Sequence, residues 1–294
     1  MRLFIALTSQ LIIIFCSLFT QTQAQEIKIM GSRAGIDPVN SYFIALTKLV
    51  LSRTAHSYPN DSIKIINLEG VTQGRLFRLI EEQFIDIVWS GTDKSREEFY
   101  LPIRVPLVKG LLGYRALLVH KENVKKFSEI KNEYELKSMI ACQGAHWPDT
   151  AILEYNGYTV SRTVHYDAMF KMLEKKRCDF FPRALFEGRA ELIQLKDKYP
   201  NIRLVENTLL QYYLPMYYFV KQDNHALAKR LYDGLVEVMH DGSLLTLMES
   251  HELTRFIFPI HKWQDATIFR LSNLNVPIET PLANKKLWLV LGEQ

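Results

Sequence analysis

The sequence lacks the short motifs by which many enzymes and metal proteins are recognised. The Gly-x-Ser-x-Gly turn of serine hydrolases is missing, since in residues 31–35 the serine stands one place off. Neither Gly-x-x-x-x-Gly-Lys nor Gly-x-Gly-x-x-Gly, which hold nucleotide phosphates, occurs. His-Glu-x-x-His and Cys-x-x-Cys are also missing, and the eight histidines are scattered. We therefore expect no catalytic residue, no metal site, no cofactor, and a protein that is not an enzyme.

Charge of one sign is not concentrated anywhere in the chain. The 294 residues include 36 Lys and Arg against 32 Asp and Glu, a formal net charge of +4, and the two signs are interspersed. No nucleic-acid partner is expected, because such partners require a basic patch or stripe. With 48% hydrophobic residues, the chain can bury a core, and its length allows two domains.

Only the first 24 residues form a long uncharged apolar segment. Arg2 precedes the apolar run 11–15, and the segment ends in small residues up to Ala24. This order predicts a secretory signal peptide that is cleaved after Ala24, which would place the protein in the periplasm. The alternative is an uncleaved membrane anchor, and the polar residues 8–10 count against it. Cys16 lacks the small preceding residues of a lipidated cysteine.

Cysteine is scarce, with three in the chain and one of them in the predicted signal peptide. Cys142 and Cys178 remain, and an oxidising compartment would permit a disulfide between them. The alternative is two buried free thiols. Both cysteines lie at predicted strands that would be neighbours in a doubly wound sheet, so we hypothesise the disulfide.

Strands and helices alternate along the chain. In the first half, strands are predicted at Glu26–Met30, Ser62–Ile66, 85–90 and 111–120, with helices between the first three. In the second half, strands are predicted at 139–143, 158–163, 179–182 and 213–221, again with helices between, and a helix follows at 224–240. Each β-α-β-α-β run implies a parallel sheet with helices on its faces.

The repeated order predicts an α/β fold of two Rossmann-like lobes. The long strands 111–120 and 214–220 are the expected crossings, so that the lobes share a two-strand hinge. Lobe one would comprise residues 25–112 and 221–294, and lobe two residues 113–220.

Polar residues follow the third strand of lobe one. Ser90, Thr92 and Arg96 lie at its carboxyl end, where open α/β sheets bind ligands. Arg offers a planar fork of donors that matches a carboxylate. The alternative is a surface arginine paired with Glu97 or Glu98.

A second candidate site segment lies at the start of a helix in lobe two. Gly144, His146 and Trp147 precede that helix, whose free N–H groups attract anions. The alternatives are core packing for Trp147 and a solvated loop position for His146.

Residues 90–96 resemble the Ser/Thr-rich loop that leads to an arginine in family 3 of the bacterial extracellular solute-binding proteins. Residues 140–144 are similar to that family's first strand of the second lobe, and residues 241–245 resemble the break between its last two helices. The resemblance covers residues 26–257 and implies the type II periplasmic-binding-protein fold. It also implies a ligand-binding role for the Ser90–Arg96 loop and for the turn at Gly144.

The sequence departs from the family at three places. One extra residue separates Thr92 from Arg96. Arg183 stands about where the family often has an aspartate that holds the ligand's amino group, so we count Arg183 among the ligand-binding candidates. The tail 258–294 exceeds the family's usual ending, and we expect it to form an ordered strap against lobe one.

The expected function is capture of a small polar, carboxylate-bearing solute in the cleft between the lobes, by a monomer that serves an ABC permease. The alternatives are a signalling or receptor-presenting binder without a transporter and, less favoured, an exported lyase. Arg96 and Arg183 should both face the cleft without an acidic counterpart, which favours an anionic solute. Tyr213 or a nearby aromatic residue would stack on it. Glu187 and Glu191 are interpreted as a solvated helix face.

Overall fold

The computed structural model describes residues 26–31, 38–58, 62–68 and 71–292. The predicted signal peptide, its cleavage site and Cys16 lie outside the described residues. Within those four ranges, no helix has both the length and the apolar character needed to cross a membrane.

The elements alternate between strands and helices, as the sequence predicts. The first part of the chain contains β1 (Glu26–Met30), α1 (Pro38–Arg53), β2 (Ser62–Ile66), α2 (Gln73–Glu81), β3 (Val88–Gly91), α3 (Lys94–Phe99) and β4 (Tyr100–Ile103). The middle part contains β5 (Tyr114–His120), α4 (Val124–Ser128), α5 (Glu133–Lys137), β6 (Ile140–Gly144), α6 (Pro148–Tyr155), β7 (Thr159–Thr163), α7 (Tyr166–Glu174), β8 (Phe180–Ala184), α8 (Leu185–Leu195) and β9 (Ile202–Gln211). The last part contains β10 (Met216–Lys221), α9 (His225–His240), α10 (Ser243–Ser250) and β11 (Thr267–Arg270).

Local sequence signals explain where α2, α3 and α6 begin. Thr72 caps α2 by accepting a hydrogen bond from the Arg75 N–H, and Asp93 caps α3 in the same way. Pro148 opens α6, where its missing N–H costs no helical hydrogen bond.

The first group of strands is only partly the parallel sheet that was predicted. β1 and β2 pair in parallel, and a parallel bridge joins Ile29 to Ile87 just before β3. β10 lies between β3 and β4 and runs antiparallel to both. The prediction of an all-parallel sheet is wrong here because β10 follows the strands of the second sheet in the chain and then pairs antiparallel with β3 and β4.

The second sheet has six strands in the order β11-β9-β5-β8-β6-β7. β6 pairs in parallel with β7 and β8, as predicted, whereas β5 runs antiparallel to β8 and β9. The ten-residue strand β9 was not predicted from the sequence. Its apolar residues do not alternate regularly, and its pairing with β5 shifts register between Ala116 and Leu117.

The chain crosses between the two groups of strands at three places, the last of which leads from β10 through α9 and α10 to β11, and the first two crossings lie side by side. Residues 104–113 lead from β4 to β5, and residues 212–215 lead from β9 to β10. The Tyr212 N–H donates to the Gly113 carbonyl at 3.1 Å, and the Leu107 N–H donates to the Met216 carbonyl at 2.9 Å. The predicted strands 111–120 and 213–221 are shorter than expected, because each crossing contains a non-strand segment.

Cys142 of β6 and Cys178, just before β8, are joined as a disulfide with their Cα atoms 5.6 Å apart. Both cysteines are buried among Met169, Phe170 and Phe181. The disulfide ties together two neighbouring strands of the six-stranded sheet.

The tail does not follow its predicted course in full. It was expected to pack against lobe one, but β11 pairs in parallel with β9 at the edge of the six-stranded sheet. β9 offers a free edge there, and the β-branched and aromatic residues of Thr267–Arg270 suit a strand.

Candidate functional site

The predicted site segments of the two lobes meet at one contact. β3 ends at Gly91 and β6 ends at Gly144, and each strand is followed by a short turn and a helix. The Arg96 guanidinium donates to the backbone carbonyl of His146 at 3.4 Å. The carboxyl ends of strands from both sheets therefore face each other, which is where open α/β sheets place ligands.

Arg96 is held by acceptors from its own lobe. Its guanidinium donates to Ser90 Oγ at 2.8 Å, to Gln73 Oε1 at 2.6 Å and to the Gly91 carbonyl, and it forms an ion pair with Asp93 at 3.2 Å. Its side chain is 12% exposed. The alternative of a surface arginine paired with Glu97 or Glu98 is therefore wrong.

Burial lowers the pKa of Arg96, and the carboxylates of Asp93 and Asp149 act in the opposite direction. Because an arginine titrates so far above neutrality, Arg96 stays charged. Asp149 belongs to α6 of the other lobe, so the field at Arg96 is set from both sides of the cleft. The guanidinium also lies over the Phe77 ring, 5.3 Å from its centroid.

The predicted ligand-binding residue Thr92 is buried and its hydroxyl is engaged. Thr92 Oγ1 donates to Glu97 Oε1 at 2.6 Å, and Glu97 accepts from Arg104 at 2.6 and 3.0 Å. The Thr92 N–H donates to the Pro215 carbonyl of the crossing at 3.1 Å. Thr92 thus joins the loop after β3 to the hinge.

The turn after β6 depends on a glycine. A Cβ atom at Gly144 would lie 2.6 Å from Cδ2 of Trp147, so the indole packs directly over the glycine. Thr150 Oγ1 donates to the Gly144 carbonyl at 2.7 Å and closes the turn. His146 is exposed and contributes its backbone carbonyl to the contact with Arg96.

Arg183 does have acidic counterparts, contrary to the prediction. The residue is 7% exposed, and its Nε donates to both carboxylate oxygens of Glu191, at 3.0 and 2.8 Å. Its NH2 atom lies 3.0 Å from Glu187. The interpretation of Glu187 and Glu191 as a solvated face is wrong, because α8 starts directly after β8 and turns both carboxylates back onto Arg183.

Trp147 completes the packing around Arg183. The guanidinium carbon of Arg183 lies 4.7 Å from the centroid of the Trp147 ring and 5.3 Å from that of Phe181. The Trp147 and Phe181 rings are stacked with an interplanar angle of 28°. Arg183 therefore stabilises the turn at residues 144–147 by packing against the Trp147 ring.

A second buried arginine of lobe two was not predicted as a site residue. Arg115 of β5 donates from Nε to the Tyr212 hydroxyl at 2.9 Å and forms an ion pair with Asp149 at 2.5 Å. The Tyr212 hydroxyl donates to the same Asp149 oxygen at 2.5 Å, and Glu187 lies 3.6 Å from Arg115. The signal in the sequence was a charged residue inside the otherwise apolar run of β5.

The two arginines and the acidic residues around them form one buried cluster, which we call the lobe-two charge cluster. It consists of Arg115, Asp149, Arg183, Glu187 and Glu191. Three carboxylates face two guanidinium groups, so the cluster has one acidic group more than it has basic groups. Burial raises the pKa of Glu187, which the nearby guanidinium of Arg183 opposes.

Tyr213, which was expected to stack on the solute, lies half exposed and packs edge-on against Trp288 of the tail, with centroids 5.6 Å apart. Tyr212, its neighbour, is the residue that reaches the lobe-two charge cluster. Across the described ranges, no three His, Cys, Asp or Glu side chains form a group that could hold a metal ion.

Two α/β bodies joined by two adjacent crossings, with polar side chains between them, define the type II periplasmic-binding-protein fold. The comparison with solved structures agrees: an arginine 3rd transport system periplasmic binding protein from Legionella pneumophila has a TM-score of 0.58 at 14% identity, over 78% of this chain and 100% of that chain. An ancestral arginine-binding protein bound to arginine has a TM-score of 0.57 at 14% identity, over 78% and 99% of the two chains. The predicted fold is confirmed.

A histidine kinase sensor domain with similarity to periplasmic binding proteins is equally similar, with a TM-score of 0.57 at 14% identity over 77% of this chain and 96% of that chain. No protein-family model and no curated protein sequence matches the chain. The fold is thus shared with a protein of a transport system and with a sensor domain, at 14% identity to each.

Proposed function

We propose that the chain is a divergent family 3 solute-binding protein that holds a small polar, amino-acid-like solute between its two lobes. The observation that carries the proposal is the contact between Arg96 of one lobe and the His146 carbonyl of the other. A solute that entered here would contact the carboxyl ends of strands from both sheets.

The proposed lobes are residues 25–112 and 221–294 for lobe one and residues 113–220 for lobe two. Two strands depart from this division, because β10 pairs with β3 and β4 of lobe one and β11 pairs with β9 of lobe two. Rotation about the crossings would open and close the cleft, and solute would favour the closed form.

Arg96 is the proposed partner of a solute carboxylate. Its donors are shared among Ser90, Gln73, Asp93 and the His146 carbonyl, so a carboxylate would replace the weakest of these contacts. Opening of the lobes removes the 3.4 Å contact to His146 and frees one donor for the incoming group.

The charge of the lobe-two charge cluster changes the expected solute. The argument for a purely anionic solute required an unpaired Arg183, and that arginine is paired with Glu187 and Glu191. The remaining excess of one carboxylate favours a solute that carries an ammonium group as well as a carboxylate. Among the candidates for the solute, a zwitterionic amino acid therefore ranks above a dicarboxylate.

Screening by thermal unfolding tests the proposal. Any solute that binds only the folded state stabilises it by mass action and so raises Tm. At a solute concentration of one hundred times Kd, the free energy of unfolding rises by about 2.7 kcal/mol. We expect an amino acid to raise Tm, and dicarboxylates to raise it less. Failure of every amino acid, dicarboxylate and short peptide to raise Tm would count against a solute-binding role.

The proposed partner is an ABC permease that reads the closed form in the periplasm. A sensor role is the second candidate, because a histidine kinase sensor domain has the same fold. Uptake of labelled solute in cells with and without the protein separates the two. Loss of uptake supports transport, whereas unchanged uptake with a lost transcriptional response supports sensing.

A further inference from the structure

The C-terminal tail, residues 258–292, is fixed to lobe two at its start. β11 pairs with β9, and Lys131 Nζ donates to Thr267 Oγ1 at 3.1 Å. Asn156, which follows α6, exchanges two hydrogen bonds with the Ser272 backbone, at 2.7 and 3.0 Å. This part of the tail must move with lobe two.

Near its end, the same tail is fixed to the crossings. The Trp288 ring lies directly against Gly110, where a side chain would collide with the indole. The Leu289 N–H donates to the Lys109 carbonyl at 2.8 Å, and Trp288 packs edge-on against Tyr213 of the other crossing. The tail therefore contacts both of the adjacent crossings.

Between these two anchors, the tail reaches lobe one. Glu279 lies 4.0 Å from Arg104, which follows β4. The buried hydroxyl of Thr280 lies next to Tyr217 of β10. Burial raises the pKa of Tyr217, and the adjacent Thr280 hydroxyl opposes that rise.

The lobe-one contact is connected to the candidate site. Arg104 donates to Glu97, and Glu97 accepts from the Thr92 hydroxyl in the loop after β3. The Trp288 indole N–H donates to the Pro281 carbonyl at 3.1 Å. This hydrogen bond connects the tail segment that reaches lobe one to the tail segment that contacts the crossings.

We propose that residues 258–292 form a strap that limits rotation of the two lobes about their crossings. Three sets of contacts hold the strap, one on each lobe and one on the hinge, so a large rotation has to break at least one of them. The Glu279–Arg104 ion pair spans 4.0 Å and is accessible to solvent, and such pairs contribute little to stability. We expect it to break first when the lobes rotate. The strap rests on the proposed lobe motion but does not depend on which solute binds.

Distances between the lobes test the strap without any solute. Spin labels are introduced as unnatural amino acids at Lys171 of α7 and Glu237 of α9, which are both exposed, so that no cysteine is disturbed. Trp288→Ala removes the hinge anchor. The double variant Asn156→Ala with Glu279→Gln loosens the two lobe anchors and leaves the Trp288 ring in place. Ile278→Ala is the matched control, because this tail residue is 93% exposed.

The wild type and Ile278→Ala should give the same narrow distribution of interlobe distances. Trp288→Ala and the double variant should give a broader distribution of interlobe distances with a second maximum. A cooperative unfolding transition in each variant checks that it is folded. If Trp288→Ala fails to fold, the double variant decides alone. A wild-type distribution in the folded strap variants would overturn the proposal, whereas a failed solute screen would overturn the proposed function and leave the strap intact.

Discussion

Arg96 lies in α3, shortly after β3, and Arg183 lies near the carboxyl end of β8, and their surroundings differ. Arg183 is enclosed by two glutamates and three aromatic rings, so it is already neutralised. Arg96 forms an ion pair with one carboxylate, that of Asp93, and its other N–H groups donate to neutral acceptors. A solute carboxylate can compete with neutral acceptors far more easily than with two buried glutamates.

Glu191→Gln should destabilise the protein, because it removes the bidentate carboxylate from buried Arg183. We expect a loss of about 2–3 kcal/mol, at or below the lower end of the range for a broken buried ion pair, since Glu187 remains. Urea unfolding measures the change.

The matched control is Glu206→Gln, which breaks an exposed Arg–Glu pair with Arg189. Its cost should lie between about 0 and 1 kcal/mol. Equal losses in the two variants would show that Arg183 is not a buried structural arginine.

Glu187→Gln should alter how stability depends on pH. Burial raises the pKa of Glu187 in the folded protein, so between the unfolded value of about 4.3 and the folded value the folded state binds more protons. This group therefore makes the protein less stable as pH rises through that window. Glutamine resembles the protonated form and does not titrate.

The stability of Glu187→Gln relative to wild type should consequently increase between about pH 4 and about pH 7. Urea unfolding at the two pH values gives the difference directly. If the stability of Glu187→Gln relative to wild type decreases as pH rises, the raised pKa of Glu187 is contradicted.

At the scale of elements, the sequence allowed many strands and helices to be predicted, but not how they pair. β1 and β2 match their predicted bounds because their alternation is regular and turn residues flank them. β9 was missed because its polar residues interrupt the alternation, and only its long-range pairing with β5 makes it a strand. Long-range pairing is not visible in a local pattern.

The same limit explains the errors at the site. Ser90, Thr92, Arg96 and residues 144–147 were predicted from their positions at the carboxyl ends of strands. The structure joins Ser90, Arg96 and the His146 carbonyl, whereas Thr92 is bonded to Glu97. The pairing of Arg183 with α8 could have been inferred from the spacing of Glu187 and Glu191. The charge of Arg115 inside an apolar run marks it as unusual, but its partners depend on the antiparallel pairing of β5, which the local sequence does not indicate.

Removing the disulfide should weaken the second sheet. The two cysteines are 36 residues apart, so in the chain-entropy model Cys142→Ala with Cys178→Ala costs about 3–4 kcal/mol. Unfolding in urea checks the loss. Thiol labelling of denatured, unreduced wild type should find neither cysteine reactive, and labelling of both would contradict the disulfide.

Gly144→Ala should displace the indole that covers the turn after β6. The added methyl group meets the Trp147 ring, and overpacking of this kind costs about 1–3 kcal/mol. Trp fluorescence and Tm should both change. Gly74→Ala in α2 is the control, because a Cβ there has no neighbour within 4 Å, and its fluorescence should stay at the wild-type value.

At the scale of the whole molecule, the proposed motion is a rotation of the two groups of strands about their two adjacent crossings. The proposed site residues come from both sides, so under this proposal the binding free energy would depend on the approach of the lobes. The tail adds contacts across the same hinge. Arg96 reaches the His146 carbonyl across the candidate site, so it is the most informative residue to remove.

Calorimetric titration of wild type and Arg96→Ala, with the amino acid that raises Tm most, tests solute binding at this cleft most directly. Arg75→Ala serves as control, because Arg75 forms an exposed pair with Glu82 on the same lobe. A charge-assisted contact contributes about 1.5–3 kcal/mol, so Arg96→Ala should raise Kd by roughly ten- to a hundred-fold while Arg75→Ala leaves it unchanged. Equal Kd values for all three proteins would contradict the account.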